Sequence, residues 1–264
     1  MATAADHFGK VLVFVAHPDD ESIGCSGLLQ RAAEALVVFA VDGAPPHYGF
    51  ESTFRSLVNY SETRFREASR ALGLIPNCSL CRLPAADGTW FVDQHLFQSL
   101  PKAFRSLLQI VREFSPDLLV SHAFEGGHID HDACHVLARQ TARVLGLRHL
   151  EFPLYWRSEQ GQDICQRFRE AHGGEFVLKL EPQELALKRR MLAEYQTQHR
   201  LISSFQAETE RFRPMIHDDF AKPAWSRYPF ENRRRRLKAE LFLQKINDFN
   251  FRQGALTPVT SDRV

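Results

Sequence analysis

The chain alternates between short, wholly apolar runs and longer stretches whose apolar residues recur every three or four positions. The first run, Val11–Ala16, reads VLVFVA. A strand with one face in water would alternate apolar with polar, so this run predicts a strand buried on both faces, as in a parallel sheet. A polar turn follows, then Ser22–Leu36 with helix-friendly composition. A second buried run, Leu36–Val41, ends at Asp42-Gly43. That is a strand–helix–strand opening the size of one crossover unit.

Residues 43–60 hold Gly43, Pro45, Pro46 and Gly49 and predict a long loop, of a kind that often carries function. Ser61 is expected to cap the next helix, in which Phe65, Ala68 and Leu72 share a face before Gly73 ends it. Cys78–Leu83 predicts a short strand. Leu96, Leu100, Ala103, Leu107 and Val111 mark one helix face, and Asp117–His122 the next strand. Gly126-Gly127 precedes a helix over Asp130–Leu145. Leu150–Trp156 and Phe176–Leu180 predict further strands, and Pro182 suits the first turn of a helix through Gln198. Residues 203–232 are aromatic- and Pro-rich without a period, Leu237–Phe249 predicts a last helix, and Ala255–Val264 a polar tail. Strands alternating with helices predict an α/β fold: a Rossmann-like open, mostly parallel sheet with helices on both faces. We expect one domain over residues 1–264, with a catalytic core at about 10–200 and an aromatic-rich segment and helix at 203–250.

Composition narrows the function. With 33 Lys+Arg against 32 Asp+Glu, the 264-residue chain carries a formal charge of +1. Bulk binding to nucleic acid needs a strong basic excess, so no nucleic-acid partner is expected. Runs such as Val11–Ala16 fall far short of the ~18 residues of a membrane span. The N-terminal residues lack a charged segment leading into an apolar one, and the five cysteines form no even framework. Both point to a cytoplasmic protein with reduced thiols. Twelve histidines make any single one weak evidence, so spacing decides.

Open parallel sheets bind ligands beyond the carboxyl ends of their strands. There the first strand runs into His17-Pro18-Asp19-Asp20-Glu21. Three adjacent carboxylates repel a pyrophosphate, and no G-x-G-x-x-G is present, so a nucleotide is not expected. A histidine beside carboxylates suits a cation such as Zn²⁺, and a spare carboxylate suits a base. The plainer alternative is a polar turn whose acids cap the following helix. After the strand Asp117–His122 the pattern recurs as Gly126-Gly127-His128-Ile129-Asp130-His131. His128 and His131, three apart, face one side of a first helical turn. His131 and His135 also stand at i and i+4, as in zinc proteases, but Asp132 replaces the glutamate that such a motif needs. His122 is expected to be structural or supporting.

Together, Ala16-His17-Pro18-Asp19-Asp20-Glu21 and Gly127-His128-Ile129-Asp130-His131 resemble the LmbE/PIG-L family of zinc-dependent N-deacetylases, which act on N-acetylglucosaminyl conjugates. Arg64-Phe65-Arg66-Glu67, Ala71-Leu72-Gly73 and Tyr195-Gln196-Thr197-Gln198 share the likeness, which spans roughly residues 10–200. The resemblance implies His17, Asp20 and His131 as metal ligands, Asp19 as general base, and His128 as a protonated acid or electrostatic partner. It implies Asp130 as the group orienting His128 or His131, and Arg64 as a substrate contact or pocket organiser. Zn²⁺ is the implied cofactor, with Fe²⁺, Mn²⁺ or Co²⁺ as substitutes for the same donors. The implied partner is a small amino-sugar or glycoconjugate substrate, and a homo-oligomer stays open. Where some family deacetylases carry a tyrosine, this chain has Gly126, which leaves any oxyanion role of that side chain unfilled or met from elsewhere.

Rival readings are an amidase for larger N-acyl conjugates and a non-catalytic metal- or glycan-binding protein. Asp19 argues against the second, since binding alone needs no base. Cys78-Ser79-Leu80-Cys81 lacks a second cysteine pair and is expected to be structural. Arg233–Arg236 reads as a solvated helix start. Trp90, Trp156, Trp225, Tyr48 and Tyr155 are either packing residues or surfaces on which a sugar stacks.

Overall fold

The fold is that of a computed structural model, which describes residues 8–46, 54, 56–85, 87–171, 173–215 and 239–254. Tyr48, Trp225, Arg233–Arg236, the polar tail, most of the loop at 47–55 and the segment 216–232 lie outside the described residues. In chain order the elements are β1 (Phe8–Val15), α1 (Asp20–Gly24), α2 (Ser26–Gln30), β2 (Ala32–Phe39), α3 (Leu57–Leu72), β3 (Cys78–Arg82), α4 (Leu100–Phe114) and β4 (Leu118–His122). There follow α5 (Ile129–Leu145), β5 (Arg148–Phe152), β6 (Tyr155–Arg157), β7 (Asp163–Cys165), β8 (Phe176–Lys179), α6 (Pro182–Ala193), α7 (His199–Ile202), β9 (Thr209–Pro214) and α8 (Ala239–Gly254).

Seven strands form one sheet in the order β3-β2-β1-β4-β5-β9-β8. The first five are parallel, and β9 and β8 add on antiparallel. The apolar run of β1 has its physical reason here. Leu12 and Phe14 point into a core with Leu107 of α4, Leu137 of α5 and Phe242 of α8. Val11, Val13 and Val15 point to the other face, among Leu28 of α2, Leu72 of α3 and Met191 of α6. From β1 the chain proceeds to β2 and β3 on one side, then returns to β4 and β5 on the other. The carboxyl ends of β1 and β4 therefore flank a topological switch point, where a crevice opens.

Several elements depart from the expected bounds. The stretch Ser22–Leu36 is not one helix: α1 and α2 break at Cys25, and β2 already begins at Ala32, paired with Phe8 of β1. Sheet pairing overrides helix propensity there. Helix α3 starts at Leu57, capped by the Ser56 hydroxyl, which accepts from the Asn59 N–H at 3.2 Å. Ser61 instead donates to the Asp42 carbonyl at 2.7 Å. The expected strand Leu150–Trp156 divides at Pro153, which has no N–H for the ladder, and β6 turns away to pair with β7. The unpatterned segment after 203 contains β9. Its inward residues include Glu210 and Arg213, so hydrophobic alternation does not mark it. Glu210 accepts from the Ser26 hydroxyl, the N–H groups of Gly27 and Leu28, and the buried Lys188 ammonium at 2.8 Å. It fastens β9 to the start of α2.

Candidate metal centre

Both strand ends deliver their polar residues to the switch point. His17, one residue after Ala16, is buried, and its Nδ1 lies 3.3 Å from Asp20 Oδ2. His131, in the first turn of α5, reaches the same oxygen with Nε2 at 3.5 Å. A tetrahedral cation with bonds of ~2.1 Å spaces its donors about 3.4 Å apart. The two separations from Asp20 fit that spacing, although His17, Asp20 and His131 do not together form one of the sets whose donor atoms all lie within 4.8 Å of one another. His122 Nε2 also lies 3.2 Å from Asp20 Oδ2, but it accepts the Ala16 N–H at 3.1 Å, so its lone pair is engaged. Its ring stacks on His131, with centroids 4.0 Å apart, and fixes that imidazole's plane. Three overlapping sets of donor atoms lie within 4.8 Å of one another: His17, His128 and His131; Asp20, His122 and His131; and His17, Asp93, His128 and Asp130.

The remaining expected residues pack around these. Asp19 stands at φ 140°, a backbone region that disfavours side chains, and makes no helix cap. Its N–H donates to Glu21 Oε2 at 3.0 Å, and Glu21 in turn is bonded by the hydroxyls of Ser22 and Tyr195. The acids of this turn are thus tied into the site and do not act as solvent-facing caps. Arg64 is buried and donates to the Gly43 carbonyl at 2.7 Å, the Pro18 carbonyl at 3.0 Å and Asp19 Oδ2 at 3.0 Å. It clamps the turn. Glu67, one turn along the same helix, accepts instead from the Thr197 N–H and hydroxyl. His128 caps α5, its Nδ1 accepting the Asp130 N–H at 3.2 Å, which leaves Nε2 to carry the hydrogen of the neutral ring. The Asp130 carboxylate accepts from the N–H groups of Gln94 and Leu96 and approaches His17 Nε2 at 3.7 Å. Its hydrogen bonds do not include His128 or His131.

Burial sets the electrostatics, and neighbours correct it. Burial pushes Asp19 up to about 7 against the pull of Arg64. Burial would also raise Asp20, yet His131 and His122 hold it well below the usual carboxylate range. For His17, burial is outweighed by Asp93, Asp130 and Asp20, which hold it well above its ordinary value. The acids beside His17 thus favour positive charge there. His128 is held well below its ordinary value by burial, His17 and His131, which works against the expected protonated form.

Two further residues belong to this neighbourhood. Asp93 is buried with Oδ1 3.4 Å from His17 Nε2, and His17 pulls it down to about 2. It arrives from an irregular segment before the apolar face of Leu96, and only its carboxylate among unpatterned residues could have drawn notice. Tyr155 brings its ring to 5.3 Å from that of His131. His135, by contrast, turns away to the His122 carbonyl and Glu151, and Asp132 accepts from the N–H groups of Glu125 and Gly126. The protease-like pair therefore does not converge. Cys78 and Cys81 are unpaired thiols outside every donor set among the described residues.

Residues 12–142 match the family model described as GlcNAc-PI de-N-acetylase, PIG-L. These residues belong to the PIG-L, LmbE-like, family. A search of curated proteins by sequence found no match. Among solved structures, a deacetylase of the teicoplanin biosynthesis pathway shares the fold at 17% identity and a TM-score of 0.58, covering 80% of this chain and 99% of that one. The N,N'-diacetylchitobiose deacetylase of Pyrococcus horikoshii does so at 16% and 0.54, covering 78% and 83%. The 4-carboxy-2-hydroxymuconate hydratase GalB of a Pseudomonas strain follows at 15% and 0.52, covering 80% and 98%. One fold thus carries both deacetylase and hydratase chemistry, so the site must choose the reaction. No helix among the described residues is long and apolar enough to cross a membrane.

Proposed function

We propose that this chain is a metal-dependent hydrolase that removes an N-acetyl, or other N-acyl, group from an N-acetylglucosaminyl conjugate or related amino sugar. The observation that carries the reading is the donor spacing. His17 Nδ1 and His131 Nε2 stand 3.3 and 3.5 Å from one Asp20 oxygen, and the carboxylate of Asp19, next in sequence, lies outside the donor sets. Two imidazoles and a carboxylate suit Zn²⁺, and also Fe²⁺, Mn²⁺ or Co²⁺. His17, Asp20 and His131 would hold the cation, which would supply Lewis acidity and activate a water.

The chain's own residues do the rest. Asp19, held by Arg64, accepts a proton from the attacking water and passes it to the leaving amine. His128, its Nδ1 occupied by the Asp130 N–H, directs Nε2–H toward the acyl oxygen as charge gathers there. Asp130 and Asp93 face the other nitrogen of His17 and fix that ring, as carboxylates beside metal-bound histidines do. Arg64 organises the pocket through Asp19, Pro18 and Gly43. The whole chain acts as one domain on a small glycoconjugate.

Metal analysis of the purified protein, followed by acetate release across a panel of N-acetylated amino sugars, tests the reading. We expect about one bound metal ion per chain, as three protein ligands imply. Asp19→Asn should keep that ion and lose roughly 10²–10⁴-fold in kcat. Undiminished turnover in that variant removes Asp19 as the base. Turnover of bulky N-acyl amides alone would favour the amidase.

A further inference from the structure

The centre rests on the ends of β1 and β4 and the first turn of α5, and β6 forms a wall beside it. Tyr155 opens β6, where its backbone is fixed on two sides. It pairs with Cys165 of β7, and its carbonyl lies so near the glycine turn that a Cβ on Gly127 would stand 1.8 Å from the oxygen. The ring meets His131 edge-on at 5.3 Å and is flanked by Phe205 at 6.4 Å. The ring thus stands against an imidazole whose Nε2 is itself 3.5 Å from Asp20 Oδ2. Among the described residues the Tyr155 hydroxyl has no hydrogen-bond partner. The neighbouring phenols are engaged: Tyr60 accepts from Gln198 at 2.6 Å, and Tyr195 bonds Glu21 and Ser22.

Tyr155 is half-buried, so its O–H, bonded to no described protein group, stands open to a ligand. The glycine turn brings little of its own, because the N–H groups of Glu125 and Gly126 are both held by Asp132. We propose that Tyr155 is a further catalytic residue, its O–H donating to the acyl oxygen of the substrate as that oxygen gains negative charge. Together with His128 Nε2–H it makes a two-donor pocket for the oxyanion. The proposal rests on the deacetylase reading above.

Tyr155→Phe removes the hydroxyl and keeps the ring against His131 and Phe205. In the metal-loaded protein we expect kcat for acetate release to fall by about 10²-fold, with KM little changed. Bound metal and melting temperature should equal those of the wild type. Affinity for acetate, read by calorimetry, should weaken, because the same donor meets a carboxylate oxygen of the product. A kcat within about twofold of wild type overturns the proposal, as does a loss of activity that merely follows loss of metal. If the wild type itself releases no acetate from any amino sugar, the substrate reading fails. The acetate arm then decides separately, and an unchanged affinity in the phenylalanine variant overturns the role of Tyr155.

Discussion

Asp19 occupies a conformation, φ 140° and ψ −32°, that costs an L-residue on the order of 1–3 kcal/mol. The surroundings impose it. Glu21 holds the Asp19 N–H from one side, and the Arg64 guanidinium holds its carboxylate from the other while binding two carbonyls of the same loops. A lysine keeps the charge but has no planar fork to serve three separated acceptors. Arg64→Lys should therefore lower stability by about 1–3 kcal/mol and cut kcat more than tenfold with the metal retained. Thermal melts and acetate release check both, and a variant that matches wild type in each removes the clamp from the mechanism. At this scale the site was legible wherever its residues are contiguous at a strand end, as in His17–Glu21 and Gly126–His131. Asp93 and Tyr155 reach the centre only through tertiary packing, and no local pattern singles out a lone carboxylate or phenol. Arg64 was legible only through the family resemblance, as a substrate contact or pocket organiser, because its helix face alone does not reveal its burial.

Among the elements, β1 and β4 were legible because both faces of each are covered, and α4 because its buried face repeats at helical spacing. The antiparallel addition of β9 was hidden by its inward charges, Glu210 and Arg213, which are satisfied by Lys188 and Glu151. The hairpin of β6 and β7 was hidden by its brevity. That hairpin constrains the turn before α5, since the approach of the Tyr155 carbonyl requires that position 127 carry no side chain. The obstacle is backbone, which cannot swing aside. Gly127→Ala should thus cost about 1–3 kcal/mol. By displacing His128 and His131 it should also cost roughly 10²-fold in kcat. Gly173→Ala, where an added Cβ meets nothing within 4 Å, provides the control and should be near neutral. Equal melts for the two variants would show that β6 yields, and with it that the turn is not held by the hairpin.

Across the whole molecule, the sheet places Asp19, Asp20, Asp93 and Asp130 together at its switch point, each buried. A protein of formal charge +1 thereby concentrates acid where the dielectric is low. Arg64 compensates one of these carboxylates, and the imidazoles compensate the others only in part, since His122 and His128 are both held toward neutrality. A divalent cation bound to the folded chain, as proposed, would supply the missing charge and link occupancy to stability by mass action. At a free concentration 100 times the dissociation constant the gain is about 2.7 kcal/mol. For a chain of this size that corresponds to a rise in melting temperature of roughly 5–10 °C. Protein stripped with a chelator should accordingly melt lower, and titration with Zn²⁺ should raise the midpoint steadily with the logarithm of its concentration. His131→Ala should flatten that dependence, because Asp20 and His17 alone leave the coordination incomplete, whereas His135→Asn should retain it. A melting temperature indifferent to Zn²⁺ in the wild type would mean that the cluster is neutralised by its own protons, and the metal-dependent reading would fall with it.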